Sequence, residues 1–337
     1  MSTINHQVRL AARPSGLPKP SDWSFTEEAV PAPRAGEFVV AISHMSVDPA
    51  MRGWMNAGAS YIDPVEIGDV MRAGAVGRVT ASEHPGFAPG EHVYSDFGVQ
   101  EHALSDGRGV FKVDPSLAPV QTYLGALGLP GMTAYFGLLD VAKLEQGDTV
   151  VVSGAAGAVG NVAGQIARIM GCRVIGIAGG EEKCRWLTEE LGFDAAIDYK
   201  DEDLRRALRE RAPDRVDVYF DNVGGEILDA VLTRLARGAR VVICGAVSQY
   251  NATGAVHGPR NYMSLLVARA SMTGMVVFDY AERYGEAIGK IAGWLREGKL
   301  VSREHVLAGG VSAFPDALLS LFAGENIGKL VLQIDPG

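Results

Sequence analysis

Val150-Val-Val-Ser-Gly-Ala-Ala-Gly-Ala-Val-Gly-Asn161 is the segment of this chain with the clearest chemical purpose. A run of β-branched residues enters a glycine-rich turn, and the turn opens onto a stretch of helical character. In that setting Gly157 lets the backbone approach a pyrophosphate and Gly160 lets the helix lie close on the strand. The N–H groups of the first helical turn, around Ala158 and Val159, are offered to the anion. Ala155 stands where such a fingerprint usually has its first glycine, so the match is a variant one. Strand, loop, helix and a second strand arrive within the roughly 30 residues of one βαβ unit, which separates the segment from an ordinary tight turn. The chemistry this points to is dinucleotide binding.

The choice of dinucleotide rests on the end of the second strand. An NAD site usually carries Asp or Glu there, about 20 residues on, to bind the ribose hydroxyls. This chain has Ala178-Gly-Gly180, followed by Lys183, a cation suited to the extra 2′-phosphate of NADP(H). Glu181 and Glu182 argue the other way. Neither acid sits at the strand terminus, so the balance favours NADPH.

Other chemistries find no support. A zinc alcohol dehydrogenase needs cysteine and histidine ligands in its first domain, yet the three cysteines are Cys172, Cys184 and Cys244. His6, His44, His84, His92 and His102 have neither an H-E-x-x-H spacing nor a neighbouring cysteine cluster, so no metal site is expected. An odd number of widely spaced thiols fits no disulfide framework and suggests a reducing compartment. There is no G-x-S-x-G elbow and no Walker sequence. The net charge of −9 disfavours nucleic acid, whose binding draws on Lys and Arg neutralising phosphates. No apolar run approaches the roughly 20 residues of a membrane span, and Met1 to Leu10 lacks the apolar stretch of a secretion signal. A cytoplasmic location is the resulting expectation.

The elements that must position this chemistry fall into two zones. At 337 residues, 47% hydrophobic and 21% charged, the chain has the length for two domains and the apolar content to fold them. Up to about residue 120, short runs such as Glu37-Phe-Val-Val-Ala-Ile42, Gly74-Ala-Val-Gly-Arg-Val-Thr80 and His92-Val-Tyr94 lie between Pro- and Gly-rich turns and read as β-rich structure. Beyond about 145, apolar strands at Thr149 to Val152, Arg173 to Ile177, Ala195 to Ile197, Val216 to Phe220 and Ala239 to Ile243 alternate with helical stretches. Those stretches run from Asn161 to Met170, Glu181 to Leu191 and Gly225 to Ala236. The alternation predicts a doubly wound parallel α/β sheet. Ala313 to Phe322 reads as a helix and Lys329 to Ile334 as a strand.

A set of motifs carries a resemblance. Ser46-Val-Asp-Pro-Ala-Met-Arg52, Tyr123-Leu-Gly-Ala-Leu-Gly-Leu-Pro-Gly-Met-Thr-Ala-Tyr135, Ala155 to Gly160 and Ala178-Gly-Gly-Glu-Glu-Lys-Cys184 are joined by Asp221-Asn-Val-Gly-Gly225, Ile243-Cys-Gly-Ala-Val-Ser-Gln-Tyr-Asn251 and Asn326-Ile-Gly-Lys329. Over nearly its whole length the chain resembles the medium-chain dehydrogenase/reductase superfamily. Within it, the likeness is to the zinc-independent branch of leukotriene and prostaglandin reductases, plant alkenal reductases and bacterial curcumin reductase. The resemblance implies a GroES-like catalytic domain built from residues 1–125 and 301–337 around a Rossmann domain at 126–300, in a homodimer. It places Met132 and Thr133 near the nicotinamide, Gly157 to Gly160 on the pyrophosphate, Lys183 and Tyr199 at the 2′-phosphate, and Gly180 among the cofactor-binding residues. Asn222, Cys244, Gly245, Ala246, Ser248, Tyr250, Val277, Phe278 and Asn326 would complete the cofactor site.

The implied reaction reduces the carbon–carbon double bond of a small hydrophobic enone or enal with NADPH. A tyrosine O–H beside the carbonyl oxygen would stabilise the developing enolate. Many members have Tyr where this chain has Ala50, and the helix position of another family tyrosine is matched by Val267. Tyr262, five residues earlier, and Tyr61, in Ser60-Tyr-Ile-Asp-Pro64, are the remaining catalytic candidates. Quinone reduction, carbonyl or alcohol dehydrogenation, and NADPH binding without turnover are the alternatives, since fold alone does not fix function.

Overall fold

Short strands separated by tight turns open the chain, and the computed structural model describes residues 3–334. The chain divides into two units, one holding the residues up to Leu124 and from Glu304 onward, the other Gly125–Arg303. In the first unit, β1 (Ile4–Leu10) and β2 (Trp23–Ala29) form an antiparallel ribbon. Then come β3 (Phe38–Ser46), the single turn α1 (Met51–Trp54), β4 (Ala75–Ser82), β5 (His92–Ser95), β6 (His102–Ser105) and β7 (Phe111–Val113). β3 pairs antiparallel with β4 and β6, β4 with β5, and β5 with β7. Their inward residues, among them Phe38, Val40, Ile42, Met45 and Val93, are fully buried.

The second unit begins with α2 (Leu129–Phe136) and then alternates strand and helix: β8 (Thr149–Ser153), α3 (Ala158–Ile169), β9 (Arg173–Ala178), α4 (Glu181–Arg185), β10 (Ala195–Asp198), α5 (Leu204–Arg211), β11 (Val216–Asp221), α6 (Gly225–Leu232) and β12 (Leu235–Ile243). α7 (Met263–Ala268), β13 (Ser271–Gly274) and α8 (Tyr284–Arg296) complete it. Among the described residues six strands lie in the order β10-β9-β8-β11-β12-β13, all parallel. This is the doubly wound arrangement, with the first strand at the centre and the winding reversed beside it. Val151, Ile175 and Tyr219 of the sheet pack with Leu208 of α5 and with Ile227 and Val231 of α6.

Three local differences separate this sheet from its sequence-based reading. The helix expected over Gly225 to Ala236 stops at Leu232, because Leu235 already pairs with Val216 as the start of β12. The helix expected over Glu181 to Leu191 is α4 followed by a π-helical turn, Trp186–Glu190, which turns Trp186 and Leu187 into the interior. The sixth strand, β13, carries no apolar run; every one of its residues is exposed.

After the second unit the chain returns to the first. β14 (Glu304–Leu307), α9 (Phe314–Ala323) and β15 (Lys329–Gln333) follow; β15 runs parallel to β14 and antiparallel to β3. Phe314 and Leu318 of α9 enter the same core as Phe38 and Ile42. The ε-ammonium of Lys329, only 2% exposed, donates to the Val47 carbonyl at 2.8 Å and to Asp48 Oδ1 at 2.8 Å. Two of the motifs behind the family resemblance, far apart in sequence, thus meet through one ion pair whose ammonium is buried and whose carboxylate is partly exposed. Removing one partner of such a pair leaves an uncompensated charge, at a cost of about 3 kcal/mol. Lys329→Met should lower the unfolding free energy in urea by about that amount; an unchanged midpoint would show that the return strand is held by packing alone.

Candidate dinucleotide site

β8 is buried from end to end and finishes at Ser153, where the sheet order reverses between β8 and β11. Open α/β sheets take their ligands outside the carboxyl ends of the strands at such a switch point. Gly154 follows with φ +58°, a left-handed conformation that glycine adopts without strain. The sequence reading passed over Gly154 because it precedes the recognised fingerprint; it makes the turn that Ala155 cannot. Ala155 is fully buried, and its N–H reaches the Ile177 carbonyl of β9 at 3.0 Å. Gly157 is extended and caps α3. A Cβ on Gly160 would lie 2.3 Å from the Gly154 carbonyl oxygen and 2.8 Å from Ala155 Cα, so glycine alone lets α3 start this close to the turn. Ala158, Val159 and Gly160 occupy the first turn, where a helix has no internal acceptors for its N–H groups.

The ends of β9 and β10 carry the second group of predicted residues. Gly180, at φ +98°, leads into α4 and donates its N–H to Asp198 Oδ1 at 2.9 Å. Lys183 on α4 is half-buried. Burial, then the neighbouring Lys200 ammonium, lower its pKa from the ordinary lysine value, with Glu182 opposing. Tyr199 is exposed, its ring against Gly179. Glu181, one of the acids that weighed against NADPH, pairs with Arg185 at 3.3 Å.

At the end of β11 the fully buried Asp221 organises two loops. Its Oδ1 accepts from Ser153 Oγ (2.9 Å), Tyr219 Oη (2.7 Å), Val223 N (3.0 Å) and Gly224 N (2.9 Å). Asn222 Nδ2 donates to the Ser153 carbonyl at 2.7 Å, closing the gap between β8 and β11. Cys244 N–H and Gly245 N–H both reach the Asp221 carbonyl, at 2.9 and 3.1 Å. The Tyr250 hydroxyl accepts from Ala246 N at 3.3 Å and fills the space a Cβ on Gly245 would need; Ser248 Oγ donates to the Val223 carbonyl at 2.6 Å. Burial, then Asp221, push the Cys244 thiol up to about 12, so it stays protonated at neutral pH. Cys184 and Cys172 are likewise pushed up to about 11, chiefly by burial.

The remaining predicted residues are distributed as follows. Met132 is buried in α2, and Thr133 returns its hydroxyl to the Leu129 carbonyl at 2.7 Å. Val277 and Phe278 open the 3₁₀ turn Val277–Arg283, whose first carbonyl accepts from Tyr284 Oη at 3.0 Å. Asn326 and Tyr61 belong to the first unit. The Asn326 amide is buried and donates to the Gly328 carbonyl at 2.8 Å, while Tyr61, largely exposed, accepts from Trp54 Nε1 at 3.3 Å. Tyr262 does not lie within the helix, as the sequence reading had it: it precedes the six-residue α7 as its N-cap, and both it and Val267 are exposed. Sequence reasoning also missed Ser153, Asp198 and Asp221. Asp221 had stood in a quoted motif, but only its neighbour Asn222 was singled out.

Of the predicted histidines, His6 lies 2.6 Å from Glu101, which raises its pKa, and His84 packs against Phe38 and Phe87. Among the described residues no group of three or more His, Cys, Asp or Glu is arranged to hold a metal ion, and no helix is long and apolar enough to cross a membrane.

Comparison with known proteins gives the family. Residues 6–113 match the family described as the N-terminal domain of oxidoreductase, and residues 158–293 match the one described as zinc-binding dehydrogenase. The NADPH-dependent curcumin reductase of Escherichia coli is 40% identical, covering 98% of this chain and 97% of its own. The NADP(+)-dependent 2-alkenal reductase of Nicotiana tabacum is 38% identical, with the same coverage of 98% and 97%. CurA from Vibrio vulnificus, crystallised in complex with NADPH, superposes with a TM-score of 0.92 at 43% identity, covering 98% of this chain and 99% of that one. The chain belongs to the medium-chain dehydrogenase/reductase superfamily. Its branch is the zinc-independent one of the curcumin, alkenal and prostaglandin reductases.

The residues present suit a dinucleotide. The turn at Gly154 to Gly160 seats α3 so closely that any Cβ at Gly160 would strike the Gly154 carbonyl, the first turn of α3 offers N–H donors, and a cation-lined corner lies at the end of β9 where an NAD site would have an acid. Gly160→Ala should force the Gly154 carbonyl aside. Overpacking of this kind costs about 1–3 kcal/mol, and dinucleotide affinity, followed by quenching of tryptophan fluorescence, should fall by about tenfold, the equivalent of 1.4 kcal/mol. Undiminished affinity in a destabilised variant would show that this turn does not carry the pyrophosphate.

Proposed function

We propose that this chain is an NADPH-dependent reductase that saturates the carbon–carbon double bond of α,β-unsaturated ketones and aldehydes. The observation that carries the cofactor is the end of β9, where Ala178-Gly-Gly180 offers no acid to a ribose 2′-hydroxyl and Lys183 follows as a cation on the first turn of α4. Whole-length likeness to an NADPH-dependent curcumin reductase and a 2-alkenal reductase supports the substrate class.

When bound, NADPH supplies a hydride for the β-carbon of the enone. The chain does the rest. Gly157 to Gly160 take the pyrophosphate and Lys183 with Tyr199 the 2′-phosphate. Asn222, Cys244 to Ala246, Ser248, Tyr250, Val277 and Phe278 would complete the second unit's share of the cofactor site, with Met132 and Thr133 near the nicotinamide. The protonated thiol of Cys244 adds neutral surface and no second nucleophile. Negative charge gathers on the substrate's carbonyl oxygen as its β-carbon is reduced, so an O–H donor there lowers the barrier. Tyr61, whose phenol oxygen is polarised by the Trp54 N–H, and Tyr262 at the head of α7 are the two candidates for that donor.

The test is oxidation of NADPH beside NADH with a medium-chain 2-alkenone, with the product identified by mass spectrometry. A product carrying two added hydrogens across the double bond, formed faster with NADPH, is expected. An allylic alcohol would point to carbonyl reduction, a hydroquinone from a quinone panel to quinone reduction, and binding without turnover to a non-catalytic role; each would overturn the proposal. Loss of a general acid typically costs about 10²-fold or more, so Tyr61→Phe or Tyr262→Phe should lower kcat by that factor. If neither does, the proton comes from the ribose 2′-hydroxyl or from water.

The working form is a cytoplasmic homodimer. β13 lies at the open edge of its sheet with every residue exposed, and Met263, Leu266 and Val267 expose apolar side chains on the adjoining α7. Sheet edges of this kind need a cover, and a second copy supplies one by pairing β13 with β13. Light scattering should give twice the chain mass, and Leu266→Lys with Val267→Lys should reduce it to one; a monomeric parent chain refutes the dimer. Three free thiols with raised pKa values suit a reducing compartment.

A further inference from the structure

The ends of β9 and β10 are joined by a buried carboxylate that the catalytic reading leaves without a task. Asp198 is 8% exposed and pairs in register with Ala178, the last residue of β9. Its Oδ1 accepts two backbone N–H groups, from Gly180 at 2.9 Å and from Lys200 at 3.0 Å. The Tyr199 N–H reaches the Ala178 carbonyl at 3.1 Å, adding a third tie between the same segments. The Lys200 stem and the Tyr199 ring are therefore folded back over the glycine pair. A Cβ on Gly179 would stand 2.9 Å from Lys200 Cε and 2.9 Å from Tyr199 Cε1. The Lys200 ammonium is close enough to disfavour the charge on Lys183, which is the field an incoming dianion would relieve. Glu182 acts on Lys183 as an opposing charge, while two other nearby acids are engaged. Glu202 takes the Asp198 N–H at 2.9 Å and pairs with Arg211 at 2.7 Å, and Glu181 is held by Arg185.

We infer that Lys200 is a second cation for the 2′-phosphate of NADPH, and that Asp198 is the positioning residue that sets it opposite Lys183. This rests on the NADPH reading above and adds to it the residues that decide between NADPH and NADH. Asp198 acts through its two N–H bonds rather than its charge, since a negative charge as such would oppose a phosphate. An amide oxygen in its place would keep the bonds and drop the charge.

Calorimetric binding of adenosine 2′,5′-bisphosphate and of adenosine 5′-monophosphate to the full chain separates the phosphate corner from the rest of the site. A charge-assisted hydrogen bond of this kind is worth about tenfold or more in affinity. Lys200→Gln should weaken the bisphosphate about tenfold without changing the monophosphate, raise KM for NADPH but not for NADH, and be rescued by Lys200→Arg. Asp198→Ala should reproduce that pattern, while Asp198→Asn should bind the bisphosphate as well as the parent chain or better. Parent-like bisphosphate binding by Lys200→Gln would overturn the role of Lys200. Equal losses in Asp198→Ala and Asp198→Asn would overturn the positioning role, because the amide retains the acceptor. If the unsubstituted chain binds the two nucleotides equally, the NADPH reading itself falls and the proposal falls with it, a result distinct from the other two.

Discussion

A single carboxylate oxygen, Asp221 Oδ1, holds together the crevice on which the second unit's function depends. It is wholly buried, and a buried anion is tolerable only when donors replace the water it has lost. Four do so at Oδ1, two hydroxyls and two backbone N–H groups, all within 3.0 Å, while the equally buried Oδ2 is left without a donor among the described residues. Those donors come from β8, from β11 itself and from the loop leading into α6, so satisfying the charge fixes the two strands that flank the switch point. The Asp221 carbonyl then receives Cys244 and Gly245, bringing the end of β12 to the same place. Three strand ends are thereby fixed before any ligand arrives, which reduces the ordering cost that binding would otherwise carry.

How much of this was legible in the sequence follows from which forces act locally. The strands β8, β9, β10 and β11 were readable because a parallel sheet covered on both faces demands continuous apolar runs. β12 was readable only from Ala239, since its first part contains exposed Arg237 and Gly238, the latter at φ +79°. β13 has no apolar signature because it is an exposed edge, paired with β12 through its backbone alone. β1 was hidden for the opposite reason. Asn5 and Gln7 are buried polar residues satisfied by Gln100, so polar side chains occupy inward positions and disguise the alternation that marks a strand.

The site divides in the same way. Gly157, Gly160, Gly180 and Lys183 could be placed from spacing because their work is local: a turn, a close approach, a cation one helical turn past a strand. Ser153 with Asp221, and Asp198 with Gly180 and Lys200, could not, because each interaction joins segments far apart in the chain. A sequence window shows an Asp at a strand end without showing whether it faces a ribose, a neighbouring loop or solvent. The displacement of Tyr262 from α7 has another origin: the helix was placed by the family resemblance alone, and its six residues end at Arg269, which takes a left-handed φ of +54°.

The motifs of the first unit carry a different kind of information from those of the second. Arg52, at the end of Ser46-Val-Asp-Pro-Ala-Met-Arg52, is 4% exposed; its guanidinium donates to the carbonyls of Gly16 and Pro14 and to Asn56 Oδ1. Lys329 is equally buried, on Val47 and Asp48. Such cations cannot also meet a substrate; they anchor the chain's beginning and end around β3. The recognisable residues of the first unit therefore report a scaffold, whereas the exposed Tyr61 is not part of that buried frame. A change of one or two methylenes in an apolar pocket is worth only about 1–3 kcal/mol, so a scaffold this firmly tied can exchange substrates through a few side chains while its cofactor corner stays as it is.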